Sequence, residues 1–504
     1  MAEHARDGTY LTETPYVGTF HREMTPAWLG AVAIALGHRP PEPSGGLRYC
    51  DLGCGPGMGT VLMAAANPDA RFTAIDVNPQ HVAQARALAA AGGIGNVQVV
   101  EAGFADLAAT AGGDCGPFDI IALHGVFSWI PAGLRSDVMA LIDRWLAPGG
   151  LVYLHYMAHP GLASFAAGQM LLRRFAAGRT GDAGTGARAG LDFLQRLADA
   201  GAGYFVAHPE ERQRLANART QDARYLAHEF LNPTWQPLHV AEVMDAFGGI
   251  GCTYLGSADP SENIDSLSLP GGTSALLAEI ADPALRETVK DFARNQSYRR
   301  DIYQRDAAAL APRAHMEAMS SATLARLPNA PRKGGLTFNT RIGAVEGSAE
   351  LFSPLLASLA AEGRIGFGNL VRRPELARVP SLLNQAFQML SWSGCAHPLL
   401  PRAADAAPAR RLNLHLARQA LEAGESQAWL AAPPIGSALP ADRAQLAAFL
   451  ALAGTPSRAV AEAVHPHLPP GTDAAAWLAV FGREILPAWQ ALGIVPARDG
   501  GALP

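Results

Sequence analysis

The sequence predicts an α/β fold built on a doubly wound parallel sheet, and three features between Leu47 and about Pro160 indicate it. Short apolar segments alternate there with helical segments, which is typical of parallel strands joined by crossover helices. The first strand runs directly into a glycine-rich loop, DLGCGPGMG (51–59), that opens a helix. The second strand ends on the acidic residue Asp76, about 20 residues further on, which is the position of ribose-binding acids in such sheets.

Five strands are predicted from this alternation. Their segments are LRYCDL (47–52), RFTAIDV (71–77), NVQVVEA (96–102), FDIIALHG (118–125) and GLVYLHYM (150–157). Helices are predicted from the glycine loop to about Ala66, from the second strand through Ala90, and near 133–146. The segment LAPGG (146–150) is predicted to turn into the last of these strands.

The flanking segments have a different character. Thr25 and Pro26 predict the start of a helix, because threonine caps helices and proline suits the first helical position. The segment RPPEPSGG (39–46) is predicted to be a linker. After about Pro160 the alternation stops, and AAGRTGDAGTGARAG (176–190) is predicted to be a mobile polar loop, followed by helices to about Ala227.

The remaining chain mixes strand-like pieces with helices and then becomes mainly helical. The segment RKGG (332–335) indicates a boundary, and a small strand pair is predicted between 336–340 and 364–371. We predict five regions: an N-terminal lid and helix (1–46), a cofactor-binding core (47–162), a helical insertion or dimerisation segment (163–228), a middle domain (229–331) and a mainly helical C-terminal domain (332–504).

Composition and charge favour a globular protein without a nucleic-acid partner. Hydrophobic residues make up 49% and charged residues 17% of the chain, and the net charge is −5, so no broad basic field is present. The five cysteines fit a reducing compartment better than a disulfide framework. The first sixteen residues lack the apolar segment of a secretory signal, and no apolar run approaches the roughly 18 residues of a membrane span. We expect a cytoplasmic protein with no membrane partner.

The glycine-rich loop fits S-adenosyl-L-methionine (SAM) better than other ligands of such loops. Asp51 precedes the glycines, where its carboxylate can reach a cationic amino group. The spacing Gly53-x-Gly55-x-Gly57 differs from the G-x-G-x-x-G of dinucleotide sites, although a dinucleotide site and a plain surface turn stay open as alternatives. The Lys-Ser/Thr of a P-loop is missing, which argues against a nucleoside triphosphatase.

Two metal-dependent alternatives are disfavoured. Cys50 and Cys54 have the C-x3-C spacing that opens a radical-SAM motif, but Gly57 stands where that motif needs its third cysteine. Both cysteines are expected to be small residues buried beside the loop. The histidines are scattered, without H-E-x-x-H or a paired C-x2-C, so no metal site is predicted.

These motifs resemble those of the class I SAM-dependent methyltransferases, through the loop at 51–59, the strand end AIDV (74–77), EAGFADL (101–107) and FDIIALHG (118–125). The resemblance implies a Rossmann-like, seven-stranded methyltransferase core with mainly α-helical and α+β accessory domains. Five longer segments are similar to methyltransferases with an attached regulatory domain, a group that includes the rickettsial protein lysine methyltransferases. They are TPYVGTFHREMTP (14–26), HGVFSWIP (124–131), YLHYMAHPG (153–161), YLAHEFLNPTWQP (225–237) and KDFARNQSYRRDIY (290–303).

The resemblance implies a set of cofactor-binding residues. They are Tyr16, Asp51, Gly53, Cys54, Gly55, Asp76, Val77, Phe104, Ala105 and His124. Asp51 and the loop would contact the methionine part of SAM, and Asp76 would bind the ribose diol. Val77, Phe104 and Ala105 would border the adenine.

Three residues are predicted to be catalytic, namely His124, Trp129 and Tyr156, because they lie at or just beyond carboxyl ends of strands, where open α/β sheets bind ligands. The resemblance also implies that His124 faces the transferable methyl group. Tyr16 is predicted to fold over SAM as part of a lid, with simple packing on the core as the alternative, and His21 is predicted to be an exposed loop residue.

Two further segments admit both a functional and a structural interpretation. The residues 228–231 and Trp235 either line a substrate cavity or pack in the core. Arg299 and Arg300 either bind an acidic substrate group or form a structural ion pair with Asp291 or Asp301.

Methyl transfer needs alignment and desolvation rather than a triad, since the cofactor supplies the activated methyl group. The favoured function is methylation of a protein side chain, with lysine first, and the extra domains would form the substrate platform. The alternatives are a small-molecule N- or O-methyltransferase of secondary metabolism and a non-catalytic SAM-binding regulator. The expected binding partner is the protein or small-molecule methyl acceptor. The resemblance further implies that the chain forms a homodimer.

Overall fold

The computed structural model describes residues 16–42, 46–110, 115–177, 182–376, 380–402, 405–453 and 459–496. The start of the N-terminal motif at 14–26 and part of the linker at 39–46 lie outside the described residues.

Seven strands form the principal sheet, in the order β3-β2-β1-β4-β5-β7-β6. They are β1 (Arg48–Leu52), β2 (Arg71–Asp76), β3 (Val97–Glu101), β4 (Phe118–His124), β5 (Leu146–Met157), β6 (Cys252–Ser257) and β7 (Tyr298–Arg305). The strands β1 to β5 pair in parallel, and β7 pairs antiparallel with both β5 and β6. The predicted seven-stranded α/β core and its first five strands are confirmed.

The sheet crosses the predicted boundary between the core and the middle domain. The strands β6 and β7 come from residues 229–331, and β7 lies directly beside β5. The sequence of β7, YRRDIYQR, carries four charged residues and does not resemble a buried strand. Those charges are tolerated because Arg299 and Asp301 form an ion pair inside the protein. The five-region division stays a prediction, but the sheet itself is built from two of its regions.

Helices cover both faces of the sheet. The helices up to residue 231 are α1 (Pro26–Ala35), α2 (Met58–Ala66), α3 (Pro79–Gly92), α4 (Phe104–Ala109), α5 (Ala132–Trp145), α6 (Phe165–Ala177), α7 (Ala183–Asp199), α8 (Gly203–Ala207), α9 (Pro209–Ala218) and α10 (Ala223–Leu231). The α1 helix begins as predicted, with Pro26 first and the side chain of Thr25 accepting a hydrogen bond from the backbone N–H of Trp28.

The later helices are α11 (Val240–Gly248), α12 (Asp265–Ser268), α13 (Thr273–Ala278), α14 (Pro283–Arg294), α15 (Pro312–Ser321), α16 (Ala349–Glu362), α17 (Phe367–Val371), α18 (Pro380–Trp392), α19 (Ala407–Ala423), α20 (Arg443–Ala453), α21 (Val460–Val464), α22 (Ala474–Val480) and α23 (Leu486–Ala491). Side chains of α1, α2 and α3 form one hydrophobic cluster with the sheet, and those of α5 and α11 form another. The doubly wound arrangement follows from these two layers.

The predicted mobile loop at 176–190 is wrong for the residues that the structure describes, and residues 178–181 lie outside them. The helix α6 continues to Ala177 and α7 begins at Ala183, where Asp182 caps it by accepting from the backbone N–H of Thr185. The glycines of this segment allow close helix packing, since a Cβ at Gly190 would lie 2.8 Å from Leu172 of α6. The glycine-rich pattern predicts flexibility, but in the folded protein its glycines let α6 and α7 approach each other closely.

The predicted strand pair between 336–340 and 364–371 is also wrong. The strand β9 (Leu336–Thr340) pairs with β10 (Gly343–Gly347) in a local hairpin. The strand β11 (Arg364–Gly366) pairs instead with β8 (Thr323–Arg326), which also pairs with β12 (Ala396–Pro398). A hairpin needs no long loop closure, which favours the local partner.

Part of the C-terminal region completes the hydrophobic core on one face of the principal sheet. Leu412 and Leu416 of α19 belong to the same buried cluster as Tyr49 of β1. The Asn67 side chain donates a 3.0 Å hydrogen bond to the carbonyl of Gly436, in the hairpin of β13 (Gln427–Ala432) and β14 (Ser437–Asp442). This segment therefore packs over α2 and α3.

Among the residues that the structure describes, no helix combines the length and the apolar character that crossing a membrane requires.

Candidate cofactor and methyl-acceptor site

The loop after β1 has the geometry of a ligand cradle. Gly53, Gly55 and Gly57 have φ angles of 83°, 57° and 74°, which residues with a side chain rarely adopt. The backbone N–H groups of Gly53 and Cys54 both donate to the carbonyl of Ile75, at 2.8 and 3.0 Å, and fix the loop against β2. A Cβ at Gly55 would meet no atom within 4 Å, so this part of the loop faces open space that a ligand can approach.

Asp51 lies at the base of this loop and is buried. Its carboxylate accepts a short hydrogen bond from the hydroxyl of Thr60 on α2. Burial raises the pKa of Asp51 to about 6, and the Thr60 hydrogen bond opposes that rise. A buried carboxylate of this kind gains from a cationic partner, which fits the amino group of SAM.

We expect the affinity for SAM to fall as the pH is lowered through about 6, because Asp51 then takes up a proton and loses its charge. The loss should approach about tenfold per pH unit below that value, as linkage requires for one proton. Titration calorimetry over a pH series measures it. The variant Asp51→Asn should bind more weakly at neutral pH and lose this dependence; identical slopes in both proteins would contradict the assignment.

Asp76 organises the second half of the cradle. Its carboxylate accepts hydrogen bonds from the backbone N–H groups of Gly55 and Asn78, both at 2.8 Å, and contacts His81 Nδ1 at 3.2 Å. His81 Nε2 accepts a 3.0 Å hydrogen bond from the backbone N–H of Tyr16, so His81 Nδ1 carries the proton and donates to Asp76. The N-terminal segment is therefore connected to the predicted ribose-binding acid.

The other predicted cofactor residues lie around this cradle. Val77 follows β2 and is 37% exposed, and its side chain lies 3.8 Å from the Cβ position of Gly103. Phe104, half-buried, and Ala105, exposed, form the first turn of α4. The ring of Tyr16 lies 5.1 Å from that of His228 and 6.2 Å from that of Tyr225, both on α10.

Four aromatic rings stack in a row at the carboxyl end of β4 and across the last residues of β5, and we call them the ring column. They are His21, His124, His155 and Tyr298, with centroid separations of 3.8, 4.1 and 5.7 Å along the row and interplanar angles of 17° or less. His124 Nδ1 lies 3.0 Å from the hydroxyl of Tyr153. The column lines the edge of the sheet where the methyl acceptor is expected.

The histidines of the ring column are electrically neutral at neutral pH. Burial holds the pKa of His124 and of His155 well below the usual value, and the guanidinium of Arg300 acts in the same direction. Burial also lowers the pKa of His21. The column therefore presents a desolvated, uncharged aromatic wall.

The three residues predicted to be catalytic do not lie together. His124 is in the ring column, while Trp129 is half-buried in the loop after β4, beside Gly125. Tyr156 follows His155 on β5, so its side chain lies on the opposite face of the sheet. Its hydroxyl donates to Asp301 at 2.8 Å inside the core, away from the ring column.

Several residues of the site were missed by sequence reasoning. His155 pairs in register with His124 and with Arg300, so both histidines and the arginine lie on one face of adjacent strands. The alternation within YLHYM would have indicated His155 once β4 and β5 were aligned. His21 was predicted to be an exposed loop residue, but it is half-buried and stacks on His124. No sequence signal identifies Tyr298.

The other expectations concern metals and arginines. All five cysteines are free thiols. Within the described ranges, no group of three His, Cys, Asp or Glu side chains is arranged to hold a metal ion. Arg299 forms the structural ion pairs considered from the sequence, with Asp291 at 2.5 Å and Asp301 at 2.9 Å. Arg300 lies on the same face of the sheet as His155 of the ring column, and its Nη1 atom lies 3.9 Å from Oδ2 of Asp259.

Comparison with known proteins agrees with this geometry. Residues 50–152 match the model of a methyltransferase domain, and residues 222–305 match that of a predicted methyltransferase regulatory domain. An uncharacterized protein of Synechocystis sp. is 30% identical over 391 residues, which cover 77% of this chain and 76% of that protein. The trans-aconitate 2-methyltransferase of Streptomyces avermitilis is 36% identical over 120 residues, 23% of this chain and 42% of that enzyme.

The fold is similar to that of a solved methyltransferase over nearly its whole length. The structure of PKMT2 from Rickettsia typhi in complex with AdoHcy superposes with a TM-score of 0.70 at 14% identity, covering 95% of this chain and 99% of that chain. The part matched as a regulatory domain supplies β6 and β7, so it completes the sheet that the methyltransferase domain begins. The chain therefore belongs to the SAM-dependent methyltransferases in which a methyltransferase regulatory domain follows the catalytic domain.

Proposed function

We propose that this enzyme methylates a side-chain nitrogen of a protein, and that the acceptor is lysine. The observation that carries the proposal is the ring column, a desolvated and uncharged wall at the carboxyl ends of β4 and β5. A lysine must lose its proton before it can attack, and its pKa in water is about 10.4. A site that excludes water favours the neutral amine and so supports this step.

The similarity to PKMT2, a protein lysine methyltransferase, supports the same acceptor, because it extends over the accessory regions as well as the core. The similarity to trans-aconitate 2-methyltransferase is confined to 120 residues. Regions that surround a methyltransferase core beyond what a small acceptor needs are suited to hold a protein substrate.

The residues of the chain have separable tasks in this reaction. SAM supplies an activated methyl group on a sulfonium centre. Asp51 holds the amino end of the cofactor, Asp76 holds its ribose, and Tyr16 covers it from the N-terminal segment. The ring column excludes water from the acceptor and aligns it along β4 and β5, and alignment of this kind is worth about 7–11 kcal/mol.

A second acceptor class has one observation in its favour. Arg300 lies beside Tyr153 and the ring column, where a guanidinium could bind the carboxylate of a small acid. Burial lowers the pKa of Arg300, but Tyr153 and the carboxylates of Glu23, Asp259 and Glu262 raise it, and Asp259 lies at 3.9 Å, so acidic groups of the protein already act on this charge. These acidic neighbours favour the amine acceptor over the acid.

The test is incubation of the purified enzyme with isotope-labelled SAM and a lysate of cells that lack the enzyme, followed by mass spectrometry of intact proteins and of peptides. We expect label on a small set of proteins, with the added CH2 mass located on lysine, and none with Asp76→Ala. Label only in the small-molecule fraction would contradict a protein acceptor. Label on protein carboxyl or hydroxyl groups would contradict lysine.

A further inference from the structure

Glu229 is a buried carboxyl group beside the ring column, and the cofactor-binding assignments do not involve it. It lies on α10 and is 8% exposed. The hydroxyl of Tyr298, at the end of the ring column, donates to Glu229 Oε1 at 3.4 Å, and the hydroxyl of Tyr225 also hydrogen-bonds its carboxylate. The carboxylate is therefore held between two phenols, one from the sheet and one from α10.

The position of this cluster connects the two halves of the site. Tyr298 stacks on His155, which stacks on His124 at the end of β4. The ring centroids of Tyr225 and Tyr16 lie 6.2 Å apart. The backbone N–H of Tyr16 donates a hydrogen bond to His81, which in turn contacts Asp76. Glu229 thus lies where the acceptor side meets the cofactor side.

Charge distinguishes Glu229 from the buried carboxylates that lie outside the cofactor cradle. Glu211 is paired with Arg214 at 2.9 Å, and Asp291 and Asp301 share Arg299. In the described parts of the chain, no Lys or Arg lies within ion-pair distance of Glu229, and Arg214 acts on it only from further away. Buried carboxylates are normally paired, so this one is left with the capacity to bind a cation from outside the protein.

We propose that Glu229, framed by Tyr225 and Tyr298, receives the ammonium group of the methyl acceptor and takes one of its protons. The proposal rests on the proposed function and names the acceptor as an alkylamine. The phenol rings add cation–π attraction for the ammonium, and they are of little use to a carboxylate acceptor.

The step balances in protons and electrons. The carboxylate of Glu229 takes one proton from R–NH3⁺ and becomes a neutral carboxyl, leaving R–NH2. The nitrogen lone pair then forms the new N–C bond to the methyl group, while the C–S bond breaks and its electron pair stays on sulfur. The product leaves as R–NH2⁺–CH3, and Glu229 releases its proton to solvent.

The acidity of Glu229 suits this task. Burial raises the pKa of Glu229 to about 7, while the hydroxyls of Tyr298 and Tyr225 and the charge of Arg214 act in the opposite direction. Proton transfer is most effective when the pKa of the group lies close to the working pH. The carboxylate form predominates above that pKa, so binding of an ammonium should weaken as the pH falls through about 7.

The experiment measures binding rather than turnover. The protein loaded with S-adenosylhomocysteine is titrated by NMR with n-butylamine, n-butanol and butyrate, for the wild type, Glu229→Gln and the control Glu210→Gln. Glu210 is an exposed glutamate on α9 whose side chain is 50% exposed. Cofactor-product binding and thermal unfolding, which should match the wild type, show that each variant is folded.

We expect the wild type and Glu210→Gln to prefer butylamine over butanol and butyrate, and Glu229→Gln to bind butylamine about tenfold or more weakly, as loss of a charged hydrogen-bond partner predicts. Preference for butyrate, equal binding of the three probes, no measurable binding, or an unchanged preference in a folded Glu229→Gln would each overturn the proposal. If the wild type binds the amine but no protein in the lysate is methylated, the proposed protein acceptor is contradicted and the role of Glu229 in amine binding stands.

Discussion

Replacing Asp76 by alanine is expected to lower the affinity for SAM about a hundredfold or more while the protein stays folded. Two charge-assisted hydrogen bonds to the ribose would be lost, each worth about 1.5–3 kcal/mol. The loss extends to the loop, because the same carboxylate accepts hydrogen bonds from the backbone N–H groups of Gly55 and Asn78 and contacts His81. The alanine variant would lose all three of these contacts, so the loop would no longer be held in its binding conformation.

Titration calorimetry with SAM measures this effect, with Asp69→Ala as the matched control. Asp69 is exposed just before β2 and makes no part of the cradle, so its removal should leave the affinity within about twofold of the wild type. The variant Asp76→Asn keeps the shape and one acceptor oxygen, and we expect an intermediate affinity. Binding by Asp76→Ala within a few-fold of the wild type would refute the assignment of the ribose site.

Replacing Arg299 by methionine is expected to cost about 3–5 kcal/mol of stability, because it leaves buried carboxylates without their counter-charge. The side chain of Arg299 is 3% exposed and pairs with Asp291, Asp301 and Glu287 at 2.5, 2.9 and 3.0 Å. Tyr156 donates a further hydrogen bond to Asp301. These contacts tie β5, β7 and α14 together.

The loss of stability in Arg299→Met should grow as the pH rises. Burial raises the pKa of Asp291 to about 7, and Arg299 holds that rise in check. Without Arg299, the folded protein would keep protons on Asp291 and Asp301 that the unfolded chain releases at lower pH, so raising the pH disfavours the folded state.

Thermal unfolding and amide hydrogen exchange in β5 and β7 measure the stability, and the control is Arg313→Met. Arg313 is 93% exposed and pairs with Glu317 on its own helix, so little change is expected. Affinity for SAM should be retained by folded Arg299→Met. A normal unfolding midpoint with a selective loss of acceptor binding would show instead that Arg299 serves the substrate.

The sequence by itself determined the parts of this protein that depend on neighbours along the chain. The strands β1 to β5, the capped start of α1, and the cradle formed by Asp51, the loop glycines and Asp76 all follow from short-range patterns. Periodicity, glycine conformational freedom and helix capping act within a few residues, so the sequence displays them directly.

Only the tertiary structure decided the features that join distant segments. The ring column takes His21 from the N-terminal segment, His124 and His155 from two parallel strands, and Tyr298 from an antiparallel strand that enters the sheet after residue 229. Tyr156 and His155 are neighbours in sequence yet belong to opposite faces. The register of strand pairing fixes which face a side chain takes, and that register depends on partners far along the chain.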